Sequence, residues 1–156
     1  MSLRDETTMD ALDNPIIDQQ ISKTFIPNKL NVVAIKDVEQ ANLNNPECAG
    51  RHFIADFHGA NQLDNIELME KALTQASEVA GATLLHIHLH TFADGGGITG
   101  VALLAESHIS VHTWPELNYA AFDAFMCGNA KPEKAVALLE KIFKPDRVEI
   151  KEILRG

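Results

Sequence analysis

Basic residues are scarce in this chain: 13 lysines and arginines stand against 22 aspartates and glutamates, a formal net charge of −9 at pH 7. Nucleic-acid binding needs a basic stripe to neutralise phosphates, and none is visible, so that class of partner is excluded. Long apolar runs are missing as well. Stretches such as VALLA at 101–105 are far short of the ~20 residues a membrane-spanning helix requires. The N-terminus lacks the basic flank and apolar stretch of a secretory signal. Cysteine is limited to Cys48 and Cys127, in very different settings, which gives no disulfide framework. The expectation is a cytoplasmic protein with neither a membrane nor a nucleic-acid partner.

What is present is enough for one domain with a real core: 156 residues, 46% of them apolar, with no internal repeat and no low-complexity tract. Residues 1–50 differ in texture from the rest, carrying eight acidic side chains against four basic ones. Within them only FIPNKLNVVAI (25–35) is apolar enough for a short strand, and 1–48 is read as an acidic, flexible extension. The domain is placed at 49–156. RHFIADFH (51–58) alternates like a strand, with Phe53, Ala55 and Phe57 on one face. Ile66, Met69, Leu73, Ala76 and Ala80 recur at helical spacing, and Gly81 stands where such a helix ends. TLLHIHLHTF (83–92) reads as a strand, the glycine run 95–97 as loop, and 98–104, 107–114 and 119–127 as strands. Pro132 opens a second helix to about Phe143, and RVEIKEIL (147–154) closes with a strand. The predicted fold class is α+β: a two-layer α/β sandwich, its largely antiparallel sheet carrying helices on one face, with a β-α-β-β-α-β core.

Three groupings can carry chemistry. ESHISVHTWPE (106–116) sets a carboxylate, hydroxyls and imidazoles directly after an apolar strand. Alternation puts His108, Ser110, His112 and Trp114 on one face, and Ser107, Ile109, Val111 and Thr113 on the other. An edge strand with a solvated face explains the pattern equally well. A serine beside a histidine also fits a hydrolase, but the glycine-flanked nucleophile elbow is absent around Ser107. HIHLH aligns His86, His88 and His90, which with His52 or His58 make an alternative reading as a metal-binding, non-enzymatic protein; an exposed histidine face is the plainer account. Cys127 ends an apolar strand and becomes reactive only beside an acid–base partner. Asp123, mid-strand, fits a solvated face.

Taken together, GRH (50–52), GAT (81–83), ITGVALLAESHISVHTWPE (98–116) and YAAFDAFMCG (119–128) resemble the prokaryotic S-adenosylmethionine decarboxylase proenzymes, over about 50–156. The resemblance implies self-cleavage between Glu106 and Ser107: Ser107 Oγ attacks the Glu106 carbonyl, β-elimination releases the upstream chain, and hydrolysis leaves a pyruvoyl group at 107 with loss of ammonia. It implies His112 as the base and Thr99 as the hydroxyl assisting the acyl shift. The covalent pyruvoyl cofactor then acts as an electron sink for decarboxylation of S-adenosylmethionine, on the way to spermidine, with Cys127 reprotonating the product. Phe92 and Trp114 are implied as adenine or sulfonium contacts, and Glu116 as an acceptor for ribose hydroxyls. No metal is implied, and the processed αβ protomers are expected to pair as a homodimer. The same motif also serves ornithine or arginine as substrates, and an unprocessed regulatory partner would keep the fold. Thr91, Leu117, Asn118, a glycine loop one residue longer than the shortest forms, and the extension all depart from the usual pattern. His90 fits the family, whereas His86 and His88 are unexplained by it.

Overall fold

A computed structural model describes residues 48–93 and 95–156. The strand expected at 25–35 and the acidic extension lie outside the described residues, apart from Cys48. The elements are β1 (Gly50–His58), α1 (Ile66–Val79), β2 (Leu84–Thr91), β3 (Ile98–Leu104), β4 (Ser107–Trp114), β5 (Tyr119–Met126), α2 (Pro132–Phe143) and β6 (Arg147–Arg155). A single 3-10 turn, Pro115–Leu117, joins β4 to β5. Each segment read as a strand from Gly50 onward is one. Between the two helices, however, four strands follow one another where the compact core order has two.

The sheet order is β2-β3-β4-β5-β1-β6, and every neighbouring pair is antiparallel. Both helices lie on one face, α1 over β2 and β3, α2 over β1 and β5, and they pack against each other. This is the two-layer sandwich. It follows from alternation, since each strand sends every second side chain into the helix layer. Phe53, Ala55 and Phe57 of β1 are buried there, as are Ala120, Phe122, Ala124 and Met126 of β5. Phe57, Phe122 and Phe143 form a tilted cluster with ring centroids 5.0 and 5.8 Å apart. Alanines at 55, 102, 120 and 124 let the helices approach the sheet closely.

Local signals set the helix ends. Asn65 Oδ1 accepts from Leu68 N–H at 2.9 Å to start α1, and Gly81, at φ +75°, takes the left-handed conformation that closes it. Pro132 occupies the first turn of α2, and Lys144 closes that helix left-handed without a glycine. Gly97 is required for space: a Cβ there would collide with the Thr113 carbonyl where the β2–β3 loop crosses the end of β4. Thr113 is buried beneath this crossing. Its hydroxyl donates to Leu63 O at 2.8 Å and accepts from Ile98 N–H at 2.7 Å, tying β4 to β3 and to the loop before α1.

The second face of the sheet carries no layer among the described residues. Register and alternation place all seven histidines of the chain on it. Val101, Leu103, Trp114 and Ile153 are exposed on the same side. No helix among the described residues is long and apolar enough to cross a membrane.

Candidate active site

The residues singled out from the sequence fall at two opposite ends of this sheet. At one end the β3–β4 hairpin turns through Ala105 and Glu106, pairing Leu104 with Ser107. Glu106 has φ +62°, a left-handed conformation that costs a non-glycine residue about 1 kcal/mol. The peptide bond that follows it is the Glu106–Ser107 bond. Ser107 is buried, one of only three buried polar residues among those described. Its Oγ accepts a hydrogen bond from the Cys127 backbone N–H at 3.2 Å, bringing the end of β5 onto the start of β4. Cys127 itself is a free, half-buried thiol. This end therefore holds a buried hydroxyl on the residue that follows the Glu106 carbonyl, anchored by the backbone of a thiol residue.

At the other end Thr99 pairs with His112 across β3 and β4, and Thr99 Oγ1 lies 2.8 Å from His112 Nδ1. Trp114, two residues on, is 6.4 Å from the His112 ring. Glu116 is exposed in the 3-10 turn. Phe92 is 58% exposed beyond β2, edge-on to His90 at 5.1 Å. The β2–β3 loop that carries Phe92 crosses at Thr113 and Pro115, so these residues share one rim.

The two groups do not meet within one protomer. His112 is five strand positions from Ser107, which at about 3.3 Å per residue is roughly 16 Å. A general base must come within hydrogen-bond reach of the proton it takes. The separation already follows from the strand read at 107–114, whose alternation puts Ser107 and His112 on opposite faces, and it conflicts with His112 acting on Ser107 of its own chain.

Other readings are corrected or sharpened. His86, His88 and His90 are exposed on β2, whereas His52 and His58 belong to β1, four strand positions across the sheet. At about 4.8 Å per strand that is roughly 19 Å, too far for one ion. No group of three or more metal-ligating side chains gathers among the described residues. The alternative metal-binding reading therefore loses its ligand set. Asp123 does face the open side, but it is not merely solvated. Its carboxylate sits 3.2 Å from His52 Nε2 and accepts from Ser110 Oγ at 3.4 Å. His108 stands beside this group, and its pKa is lowered by burial and then by the neighbouring His52 imidazole, although Asp123 opposes the shift. Tyr119 and Asp56 were also missed. The phenol donates to Asp56 Oδ1, and burial together with that carboxylate pushes its pKa up to about 12.

A family model described as S-adenosylmethionine decarboxylase matches residues 51–156. The chain belongs to the S-adenosylmethionine decarboxylase family. It is 46% identical over 110 residues to an S-adenosylmethionine decarboxylase proenzyme of Thermosipho melanesiensis, covering 69% of this chain and 84% of that relative. A proenzyme of the same name from Thermomicrobium roseum is 40% identical over 108 residues, covering 69% and 93%. One from Methanococcus maripaludis is 46% identical over 110 residues, covering 69% and 89%. Among solved structures, the adenosylmethionine decarboxylase of Aquifex aeolicus superposes with a TM-score of 0.61 at 34% identity, over 70% of this chain and 92% of that one. The matched family segment includes both ends of the sheet and every residue assigned to them.

Proposed function

We propose that this family member is a self-processing, pyruvoyl-dependent S-adenosylmethionine decarboxylase, and that two protomers pair through their open sheet faces to complete each active site. The observation that supports processing most directly is Ser107 Oγ held by the Cys127 N–H immediately after a left-handed Glu106. The hydroxyl and the carbonyl it must attack belong to adjacent residues of one tight turn, so the step is intramolecular and needs positioning rather than a bimolecular encounter. Attack forms the ester bond and breaks the Glu106–Ser107 amide. Loss of the Ser107 α-proton then expels the Glu106 carboxylate. Hydrolysis of the resulting enamine releases ammonia and leaves the pyruvoyl group on residue 107.

These residues fit a group made from Ser107: the chain would begin at β4, at a sheet end where Cys127 is already in place. When formed, the group supplies an electron sink for loss of carbon dioxide from an α-amino acid. Everything else falls to side chains. Cys127, whose backbone N–H meets Ser107 Oγ, is the residue that returns a proton to the product. His112, hydrogen-bonded to Thr99, is the base. Phe92 and Trp114 offer faces to a sulfonium or adenine, and Glu116 accepts from ribose hydroxyls.

His112 and Ser107 lie too far apart to work within one chain, and the uncovered face exposes Val101, Leu103 and Ile153. A two-fold pairing of open faces meets both needs when its axis runs across the strands, since that orientation sets the His112 end of one sheet over the Ser107 end of its partner. The test of substrate is carbon dioxide release from S-adenosylmethionine, ornithine and arginine assayed in parallel. The reading predicts release from the first alone. Release from ornithine or arginine without any from S-adenosylmethionine would overturn the substrate assignment and leave the processing chemistry standing.

A further inference from the structure

Trp114 does not stand alone on its rim. Its ring is 5.3 Å from that of Tyr119 at 30°, and Tyr119 is 5.2 Å from His58 at 34°. The three are register partners across β4, β5 and β1. The Tyr119 ring is held at both ends, by its strand at Cβ and by the hydroxyl donated to Asp56. Asp56 lies directly opposite Ala121, whose small side chain leaves room for the diagonal contact from Tyr119 to the carboxylate. Asn118, left-handed at φ +49°, closes the turn that returns the chain from Trp114 to Tyr119. The indole keeps 39% of its surface exposed.

We propose that Tyr119 and Asp56 are positioning residues that fix the plane of the Trp114 indole, so that its free face is presented ready-made to the sulfonium nucleoside. This rests on the reading of Trp114 as a substrate contact. A contact ordered before the ligand arrives costs less entropy on binding than one ordered by it. The clamp therefore acts on affinity, and its loss should raise KM while kcat holds.

Trp114 is the sole tryptophan, which makes its motion directly measurable. Time-resolved fluorescence anisotropy of the processed enzyme should show fast local rotation of the indole in Tyr119→Phe and in Asp56→Ala. Asp56→Asn, which keeps an acceptor oxygen, should restore the wild-type decay. With S-adenosylmethionine, the two loosening variants should raise KM roughly three- to tenfold, the effect of one lost ordering hydrogen bond, with kcat within about twofold. Wild-type anisotropy in Tyr119→Phe, or a fall in kcat with KM unchanged, overturns the clamp. Trp114→Ala separates the two failures. If it raises KM while Tyr119→Phe does not, the clamp is wrong and the contact stands; if it leaves KM unchanged, the contact itself is wrong, and the clamp's role with it.

Discussion

Consider two inactive variants, Ser107→Ala and His112→Ala, co-expressed in one cell. Ser107 lies at one end of β4 and His112 near the other, roughly 16 Å apart along the strand. If partner protomers supply these groups to each other, each variant homodimer has no complete site. Random pairing makes half the dimers mixed. In a mixed dimer, the His112→Ala chain contributes an intact Ser107 and the Ser107→Ala chain an intact His112, while the second site lacks both. About one quarter of all sites should therefore be active, with turnover about a quarter of wild type. Denaturing electrophoresis supplies a second reading, because only the His112→Ala chains seated in mixed dimers should be cleaved. Ser107→Ala with Cys127→Ala is the control. Those residues sit at the same end, joined by the 3.2 Å hydrogen bond, so that pair should not complement. Differently tagged copies purified in tandem isolate the mixed species, where activity should rise to about half of wild type. Tandem-purified mixed dimers of the first pair with no activity and no cleavage would refute the shared site.

Cys127→Ala keeps the backbone N–H that holds Ser107 Oγ, so the chain should still split, whereas decarboxylation should fall by about 10²-fold or more with the proton donor gone. Thr113→Val is close in shape but strands two buried backbone groups, the Ile98 N–H and the Leu63 carbonyl; urea unfolding should show a loss of about 2–4 kcal/mol, and a loss below about 0.5 would mean these bonds contribute little. His108 predicts an acid limb to stability. Its folded-state pKa is lowered by burial and His52, so the unfolded chain binds the proton more readily. Stability is thus fully present above the ordinary value near 6.5 and is lost as pH falls below it. His108→Gln should flatten the urea-midpoint profile between about pH 7.5 and 5, and an unchanged slope would remove His108 from the account.

The layer arrangement was legible because alternation and helical spacing are local properties. Phe53, Ala55 and Phe57 mark the inward face of β1, Gly81 the end of α1, and the parity of β4 came out as read, with Ile109 and Val111 buried and His112 and Trp114 exposed. The compressed middle of the strand order shows the limit of that reading, since a sequence names strands without saying how many join one sheet. The site was legible in composition but not in geometry. ESHISVHTWPE supplied the residue types and, as a strand, the separation of Ser107 from His112, while a single chain's sequence does not show which groups a second protomer would bring to each end. Tyr119 with Asp56, and Asp123 with His52, depend on pairing between β1 and β5, whose residues are far apart in the chain. Tyr119 reads only as the first residue of a strand, and Asp123 as a solvated carboxylate, because a partner brought in by a long-range ladder leaves no local signal.

Self-cleavage is read out by the denatured intact mass of freshly purified protein, wild type beside Ser107→Ala. Self-processing predicts two fragments for the wild type, one ending at Glu106 and one spanning 107–156 with a pyruvoyl group in place of the serine residue's amine and side chain. It predicts a single species near 17.1 kDa for the variant. A wild-type chain that stays whole, or a Ser107→Ala chain that still breaks between 106 and 107, would contradict it.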